Sequence, residues 1–420
     1  MNPTDAIAFL AQLDLGSFVL LFWYLIVFDF GRYSLSLAAV IVERWLPKRA
    51  SVPYRGPVSI LLVGHNEGRR LEKCVRSLEE QDYPAATQIV VVDDGSTDGT
   101  AGVGRRLKTE RRIQAFVGTG IRGGKASALN LGFRYCSHPV VVTADIDTSF
   151  DRDAIAKLVE PFGDPAVGAV AGNLGVRNTY ASILTALQSI QYLVSISLGR
   201  RFTSMMGWLM IVSGAFGAYR RSAVQVVGGW DVGPGDDSNL TTKVRRSGWE
   251  VRFAHGAWAL TDVPVTAGAL VRQQLRWNRS IVRNRARKFR RAFNPFDAHF
   301  SLRDALAFSN ILFFQVILSI SFFVYLLWLL TAHTDIAALV ITTVSVVYLL
   351  EDLAVLGIGS LFYGERVRPG LLLYAPLSTL YKGYFLRLVR VVAYVDELAF
   401  RRSYRDSFYP TKVRNSVEQF

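Results

Sequence analysis

The 420-residue chain is poor in cysteine: only Cys74 and Cys136 occur. Two thiols far apart in sequence build no disulfide framework, and a reducing compartment is the simplest reading. A cleavable leader is not expected, because MNPTDAIAFLAQLD has no basic n-region and no small-residue cleavage site. Internal repeats and low-complexity tracts are missing, which leaves solenoids and disordered chains aside. Acidic charge is the minority sign, 34 Asp and Glu against 48 Lys and Arg, for a formal net charge of +14. Such a balance calls for an acidic partner: nucleic acid, anionic lipid or a phosphorylated substrate. What the chain has in plenty is apolar residues, 50% of the total, with a mean hydropathy of +0.24. Apolar runs long enough for a bilayer argue against nucleic acid and for a membrane.

Those runs divide the chain. Residues 1–50 hold one apolar stretch, Leu15 to Val42, broken by Asp29, Arg32 and Tyr33. About 20 apolar residues cross a bilayer, so one spanning helix and an amphipathic extension are expected. Asp5 and Asp14 precede it and Arg44, Lys48 and Arg49 follow, which puts the next domain in the cytoplasm by the positive-inside rule. Residues 51–265 alternate strand and helix. VSILLVGHNE, QIVVVDDGS and PVVVTADID are β-branched runs ending in polar or acidic residues, the pattern of buried parallel strands that present acids at their C-terminal edge. A parallel sheet covered by helices on both faces follows, with ligand bound beyond the strand ends. Residues 266–305 read as amphipathic helices lying at the membrane surface. In 306–396, Phe308–Leu330 and Ile336–Phe362 read as spanning helices. Glu351 and Asp352 in the second face a protein-lined or wet path, and Leu371–Val395 is a poorer span, interrupted by Lys382, Arg387 and Arg390. The basic tail, 397–420, is expected on the cytoplasmic side.

Four clusters carry the candidate chemistry. Asp93 and Asp94 end a strand and enter Gly95-Ser96; they suit a base imide or a ribose hydroxyl, or simply an Asp-Gly turn. Asp145 and Asp147 form D-x-D, two carboxylates on one side of an extended chain that can hold Mg²⁺ or Mn²⁺, or a solvated loop. Asp236 and Asp237 open a helical stretch, as caps or as a general base. Lys125 in GGKASALNLG stands where a glycine turn meets a helix, suited to an anion or merely exposed. Gln273, Arg276 and Trp277 share one helical face, where Arg pairs with diphosphate and Trp stacks on a sugar ring. The cations after them, Arg279 to Arg291, are expected mostly on a solvated or headgroup face.

The order VVDDGSTDGT, GGKASALNLG, TADIDTSF, SGAFGAYRR, GGWDVGPGDDSNLTTKV, VRQQLRWNRS, then membrane helices, resembles the processive inverting family-2 glycosyltransferases, the hyaluronan, chitin and cellulose synthases. The likeness runs from about Val58 to the C-terminus, and QQLRWNRS is most similar to hyaluronan and rhizobial chitin-oligosaccharide synthases. The resemblance implies an α/β, Rossmann-like glycosyltransferase A-type domain binding a UDP-sugar, with interfacial helices and a transmembrane region. It places Asp93 or Asp94 at the uridine, with Glu67 and Lys125 also on the donor side. Asp145 would serve the ribose or diphosphate, Asp147 the metal, Asp237 as base beside Asp236, and Gln273, Arg276 and Trp277 the acceptor end and pyrophosphate. FYPTK in the tail, with Phe408, Thr411 and Lys412, is similar to the F-x-x-T-x-K gating loop of cellulose synthase.

The implied function is polymerisation of a UDP-sugar, UDP-N-acetylglucosamine alone or with UDP-glucuronate, into a β-linked polysaccharide secreted through the membrane. Alternatives are a cellulose-like UDP-glucose polymerase and a single-addition transferase to a lipid carrier, which shares the acids but not the Q-x-x-R-W face. A transporter or receptor with a dead nucleotide domain leaves the intact acids without purpose. A basic scaffold at the membrane surface leaves their order unexplained.

Overall fold

A computed structural model describes residues 3–26, 34–43, 45, 52–297, 300–406, 409–411 and 414. The strands are β1 (Val58–Gly64), β2 (Thr87–Asp93), β3 (Ala115–Gly118), β4 (Val140–Asp145), β5 (Ser149–Phe150), β6 (Val167–Val176), β7 (Phe216–Arg220) and β8 (Glu250–Thr261). Among the described residues they form one sheet in the order β3-β2-β1-β4-β7-β6-β8-β5. The parallel sheet expected from the sequence is its first half, β3-β2-β1-β4. Beyond it β7 runs antiparallel to both β4 and β6, while β6 and β8 are again parallel.

Period-two packing explains why these runs are strands. Ile60, Leu62, Val91 and Val142 face one core with Leu71, Cys74, Val75 and Leu78 of helix Gly68–Glu79. Leu61, Val63, Val90, Val92 and Val141 face the other, with Ala126, Ala128 and Leu129 of helix Lys125–Phe133. Both faces are therefore covered, and polar groups are pushed to the strand ends.

Two helical segments, Leu302–Ala332 and Thr334–Arg366, are long and apolar enough among the described residues to cross a membrane. At 31 and 33 residues they rise about 45 Å or more, beyond the ~30 Å hydrocarbon thickness. They contain the spans expected at 308–330 and 336–362. The expected N-terminal span appears as helices Leu15–Tyr24 and Leu35–Glu43; residues 27–33 between them, and Arg44, Lys48 and Arg49, lie outside the described residues. Phe22 and Tyr24 pack on Phe322 and Tyr325 of the first spanning helix.

The 375–400 segment is a run of helical turns ending in helix Leu386–Phe400, and it lies along helix Ala267–Val282. Its charges are housed by protein. Lys382 pairs with Asp352, and the buried Arg387 guanidinium lies over the rings of Tyr24, Phe322 and Tyr348.

The soluble domain is locked to the first spanning helix by a buried ion pair. Arg245, in the last turn of helix Asp236–Arg246, binds Asp304 and also donates to the carbonyls of Gly207 and Leu209. Removing one partner leaves a buried charge uncompensated. Asp304→Ala should therefore destabilise the protein by about 3–5 kcal/mol. Glu72→Ala, which breaks a solvent-exposed pair with Arg106, should cost about 1 kcal/mol or less. Denaturant titration in detergent reads both, and equal losses would contradict the assignment.

Candidate active site

The site begins where the parallel strands stop. β2 ends at Asp93, whose carboxylate accepts from the Ser96 N–H at 3.0 Å. Gly95 turns the chain at φ +65°, and a Cβ there would lie 2.6 Å from the Arg122 backbone nitrogen, so only glycine fits. Asp94 reaches across to the glycine turn and accepts from the N–H groups of Gly123 and Gly124 at 2.7 and 2.9 Å. Both acids are buried. Their carboxylates thus hold the strand-end turn and fasten it to the loop that carries Lys125.

That fastening sets the next contact. Lys125 Nζ stands 2.5 Å from Asp145 Oδ1 at the end of β4. Burial opposes the ammonium charge, but the carboxylates of Asp145, Asp236 and Asp237 outweigh it and hold Lys125 above the ordinary lysine range. Lys125 is thus the partner of an acid, with its side chain still 37% exposed. Asp236 is raised above the carboxylate range by burial and then by the Asp237 charge. The acids of D-x-D and G-D-D, some ninety residues apart in the chain, therefore meet around one lysine.

D-x-D straddles the buried Ile146, so Asp145 and Asp147 lie on one side although the strand ends at Asp145. Burial, then the charges of Asp145 and Glu67, push the Asp147 carboxyl up to about 6. Glu67 itself pairs with Arg70 at 3.1 Å, and its charge is one of those that raise Asp147. Among the described residues no three His, Cys, Asp or Glu side chains form a ready metal cluster. Asp145 and Asp147 still fit a hard divalent cation: both are oxygen donors, and the charge crowding that raises Asp147 is what a cation relieves. Mg²⁺ and Mn²⁺ commonly take their remaining ligands from phosphate and water.

The loop is also braced from behind. Arg177, just past β6, makes a two-pronged pair with Asp262 at 2.7 and 3.0 Å and donates to the Asp147 carbonyl at 2.8 Å.

Helix Asp236–Arg246 starts from Gly235 in a left-handed conformation, φ +71°. A Cβ there would lie 2.8 Å from Ser280, on the helix that carries Gln273, Arg276 and Trp277. Asn284 closes the joint, its amide donating to Gly235 O and Ser238 Oγ at 3.1 and 2.8 Å. The Asp237 carboxylate accepts from the Ser238 N–H at 2.6 Å, within the first turn of its own helix. The amide oxygen of Gln273 is buried without a hydrogen-bond partner, while Trp277 is 44% exposed. Burial lowers the Arg276 pKa, partly offset by Tyr409 and Asp406. Tyr409 is in turn raised by burial and by Asp236, so the tail approaches both the acids and Arg276. Of the expected gating residues, Thr411 is exposed; Phe408 and Lys412 lie outside the described residues.

The cation run departs from expectation. Arg283 and Arg285 are buried, Arg279 pairs with Asp396, Arg287 with Glu397 and Lys288 with Asp231; Arg290 and Arg291 are exposed. The segment is packed under the C-terminal helix rather than laid on a headgroup surface. Arg200, Asn284 and Arg177 escaped the sequence reading because no motif marks them, while Arg285 was read as one of seven cations on a mostly solvated or headgroup face.

Residues 59–228 match the family described as Glycosyl transferase family 2. Poly-β-1,6-N-acetyl-D-glucosamine synthases of Staphylococcus epidermidis and of Staphylococcus aureus strain COL are each 33% identical over 222 residues, 52% of this chain and 53% of theirs. The chain thus spans about half the length of the curated relatives it matches. The mannosyltransferase PcManGT of Pyrobaculum calidifontis, solved with GDP-Man and Mn²⁺, superposes with a TM-score of 0.60 at 24% identity, over 90% of this chain and 98% of that one. The chain therefore carries a glycosyltransferase domain of the α/β A-type fold. The expected nearness to hyaluronan or chitin-oligosaccharide synthases is not shown by these relatives.

The raised Asp147 carboxyl sets a pH dependence. A cation binds the carboxylate and competes with the proton, so affinity is full above about 6 and declines as pH falls through that value. Mn²⁺ affinity, read from the free-ion signal in electron paramagnetic resonance, should drop by about tenfold per pH unit well below this point. Equal affinity at pH 7 and pH 5 would contradict a role for Asp147.

Proposed function

We propose that the chain is a processive, inverting glycosyltransferase that polymerises N-acetylglucosamine from UDP-N-acetylglucosamine into a β-linked polysaccharide and delivers it through the membrane. The observation that carries this reading is the gathering of Asp145, Asp236 and Asp237 around Lys125, beside the helix of Gln273, Arg276 and Trp277. The relatives named as poly-β-1,6-N-acetylglucosamine synthases support this donor over UDP-glucose or UDP-glucuronate.

In this reading the nucleotide lies across the ends of β1, β2 and β4, against the turn built by Asp93, Asp94, Gly123 and Gly124. Asp145 and Asp147 would hold the divalent cation, which supplies positive charge to the diphosphate. Lys125 and Arg276 add fixed cations to the charge that grows on the leaving diphosphate. Asp237 takes the proton from the acceptor hydroxyl as its oxygen attacks the anomeric carbon. UDP departs from the opposite side, and one direct displacement converts an α-linked donor into a β-linkage. Trp277, exposed at the helix surface, is the stacking face for the acceptor sugar.

Processive delivery is supported by the position of the site. The acceptor-side helix lies directly against helix Leu386–Phe400. Beyond it a cleft lined by Gln191, Ser195, Tyr348, Glu351, Asp352 and Lys382 runs among the apolar helices. Polar groups at such depth suit a hydrated path. The catalytic domain would then face the cytoplasm, with the polymer leaving on the other side.

Incorporation of radiolabel from a panel of UDP-sugars with Mg²⁺ or Mn²⁺, followed by digestion with linkage-specific hydrolases, tests the whole reading. A labelled polymer from UDP-N-acetylglucosamine is expected; labelled lipid carrying one sugar would replace it with the single-addition alternative. Asp237→Asn should lower turnover by about 10²–10⁴-fold while calorimetric UDP affinity stays near wild type; lost UDP binding would remove Asp237 from the role of base. Trp277→Ala should shorten products on a gel without weakening donor binding, and a parallel loss of both would contradict the stacking role.

A further inference from the structure

A cavity of about 390 Å³ lies between the ends of β6 and β8 and the end of the spanning segment Thr334–Arg366. Its lining contains none of Asp145, Asp147, Asp236, Asp237 and Lys125. Packed interiors leave few voids larger than a water molecule, so a space of this size calls for an occupant. The deep wall is apolar: Leu174, Val176, Leu193, Trp258 and Leu371 are buried there. Three hydroxyls of the wall are spent on protein. Thr179 donates to the Val176 carbonyl at 2.8 Å, Ser189 to the Thr185 carbonyl at 3.0 Å and Ser197 to Asn173 Oδ1 at 2.9 Å. A sugar would find few donors left, whereas a hydrocarbon chain needs none.

The exposed members of the lining are Glu365, Arg366 and Arg368, so the mouth opens among them. Arg366 pairs with Asp151 at 2.5 Å, and its guanidinium lies over the Trp258 ring. Arg368 lies over the Tyr180 ring, 5.5 Å from its centre. Among the described residues no ion pair engages Arg368 or Glu365, with each other or with a third group. The mouth thus offers one cation and one carboxylate held apart, and no net positive charge. Close by in the chain, Leu361, Leu372 and Leu373 are exposed. Charged and aromatic groups next to exposed apolar residues, at the end of a spanning helix, mark the boundary between headgroups and hydrocarbon.

We propose that this cavity binds one molecule of an aminophospholipid, phosphatidylethanolamine, with an acyl chain in the apolar interior, the phosphate on Arg368 and the ammonium on Glu365. The inference goes beyond the polymerase reading and rests only on its membrane part, that the apolar helices span a bilayer. Charge selects the headgroup. A purely anionic lipid would leave Glu365 facing a like charge. A quaternary ammonium cannot donate a hydrogen bond to Glu365, and the rings that could receive it, Trp258 and Tyr180, are already covered by guanidiniums. A primary ammonium has three donors to offer.

The test uses the full chain in detergent micelles with phosphatidylethanolamine, phosphatidylglycerol or phosphatidylcholine, each carrying a photoreactive diazirine near the end of one acyl chain. Peptide mass spectrometry maps the label. Phosphatidylethanolamine should label peptides that hold Leu174, Val176, Leu193 or Leu371. The other two lipids should label them about tenfold less, the loss of one charge-assisted contact. Glu365→Gln and Arg368→Gln, at exposed positions, should each weaken this labelling to a similar degree. Leu371→Phe should fill the cavity and abolish it. Inorganic phosphate should not compete; competition would make the mouth a phosphate site and overturn the lipid. Label confined to the outer faces of the spanning helices, equal labelling by the three lipids, or indifference to either headgroup substitution also overturns the proposal. Flotation with vesicles tests the spans separately. A chain that fails to float overturns the membrane reading, while labelling in micelles still decides the cavity.

Discussion

Like charges crowded out of water dominate this site. Asp145, Asp147, Asp236 and Asp237 lie close enough that each perturbs at least one of the others. Two unit charges about 5 Å apart at an effective dielectric near 20 repel by about 3 kcal/mol. Each acid meets the repulsion differently. Asp145 is neutralised by Lys125, Asp236 and Asp147 shift toward the protonated form, and Asp237 offsets the burial of Arg200 and Arg285. Carboxyls of one chemical type thus stand in different surroundings, the condition under which such groups can take different chemical parts.

The scaffold exists to hold that divergence in place. The strands bring Asp93 and Asp145 to one edge, and Asp94 ties the edge to the lysine loop through two backbone N–H groups. Helix Asp236–Arg246 is stapled at both ends: Asn284 grips its start, and the Arg245–Asp304 pair fixes its last turn. Both staples come from beyond the sheet. The position of Asp237 is consequently set by the helical segment around Asn284 and by the apolar helix that begins at Leu302 as much as by the sheet. A displacement of the interfacial helix would reach the carboxylate directly, without any intermediate loop to absorb it.

Much of this was readable from residue order. Runs such as VSILLVG and QIVVVD announce buried strands because Val, Ile and Leu at every position leave no solvent face, and both cores do receive them. The three acid clusters were legible because strand ends and helix starts leave few places for them. The antiparallel β7 was not, since a short run such as FGAYR carries no mark of direction. Arg283 and Arg285 were read as solvated because a cation run gives no sign of what covers it; the cover, helix Leu386–Phe400, lies a hundred residues further along the chain. Asp94 shows a subtler gap. Its sequence context suggests a ligand contact, while its oxygens are occupied by Gly123 and Gly124.

The charges within the apolar helices extend the same logic into the bilayer. Asp352 with Lys382, and Arg387 on its three rings, could each be replaced by apolar side chains of similar volume, and buried ion pairs are often no more stable than such replacements. Stability therefore gives no reason for charge at these positions. Water in the cleft they line would give one, because it lowers the cost of desolvation. A sugar polymer presents hydroxyls at its rim and C–H groups on its faces. The cleft here mixes Gln191, Ser195 and Lys382 with Tyr348, polar groups beside a flat apolar ring. The Q-x-x-R-W helix, set between the start of the Asp236–Arg246 helix and helix Leu386–Phe400, has a physical reason for its mixed composition: one side meets charged groups and the other packs on a largely apolar helix.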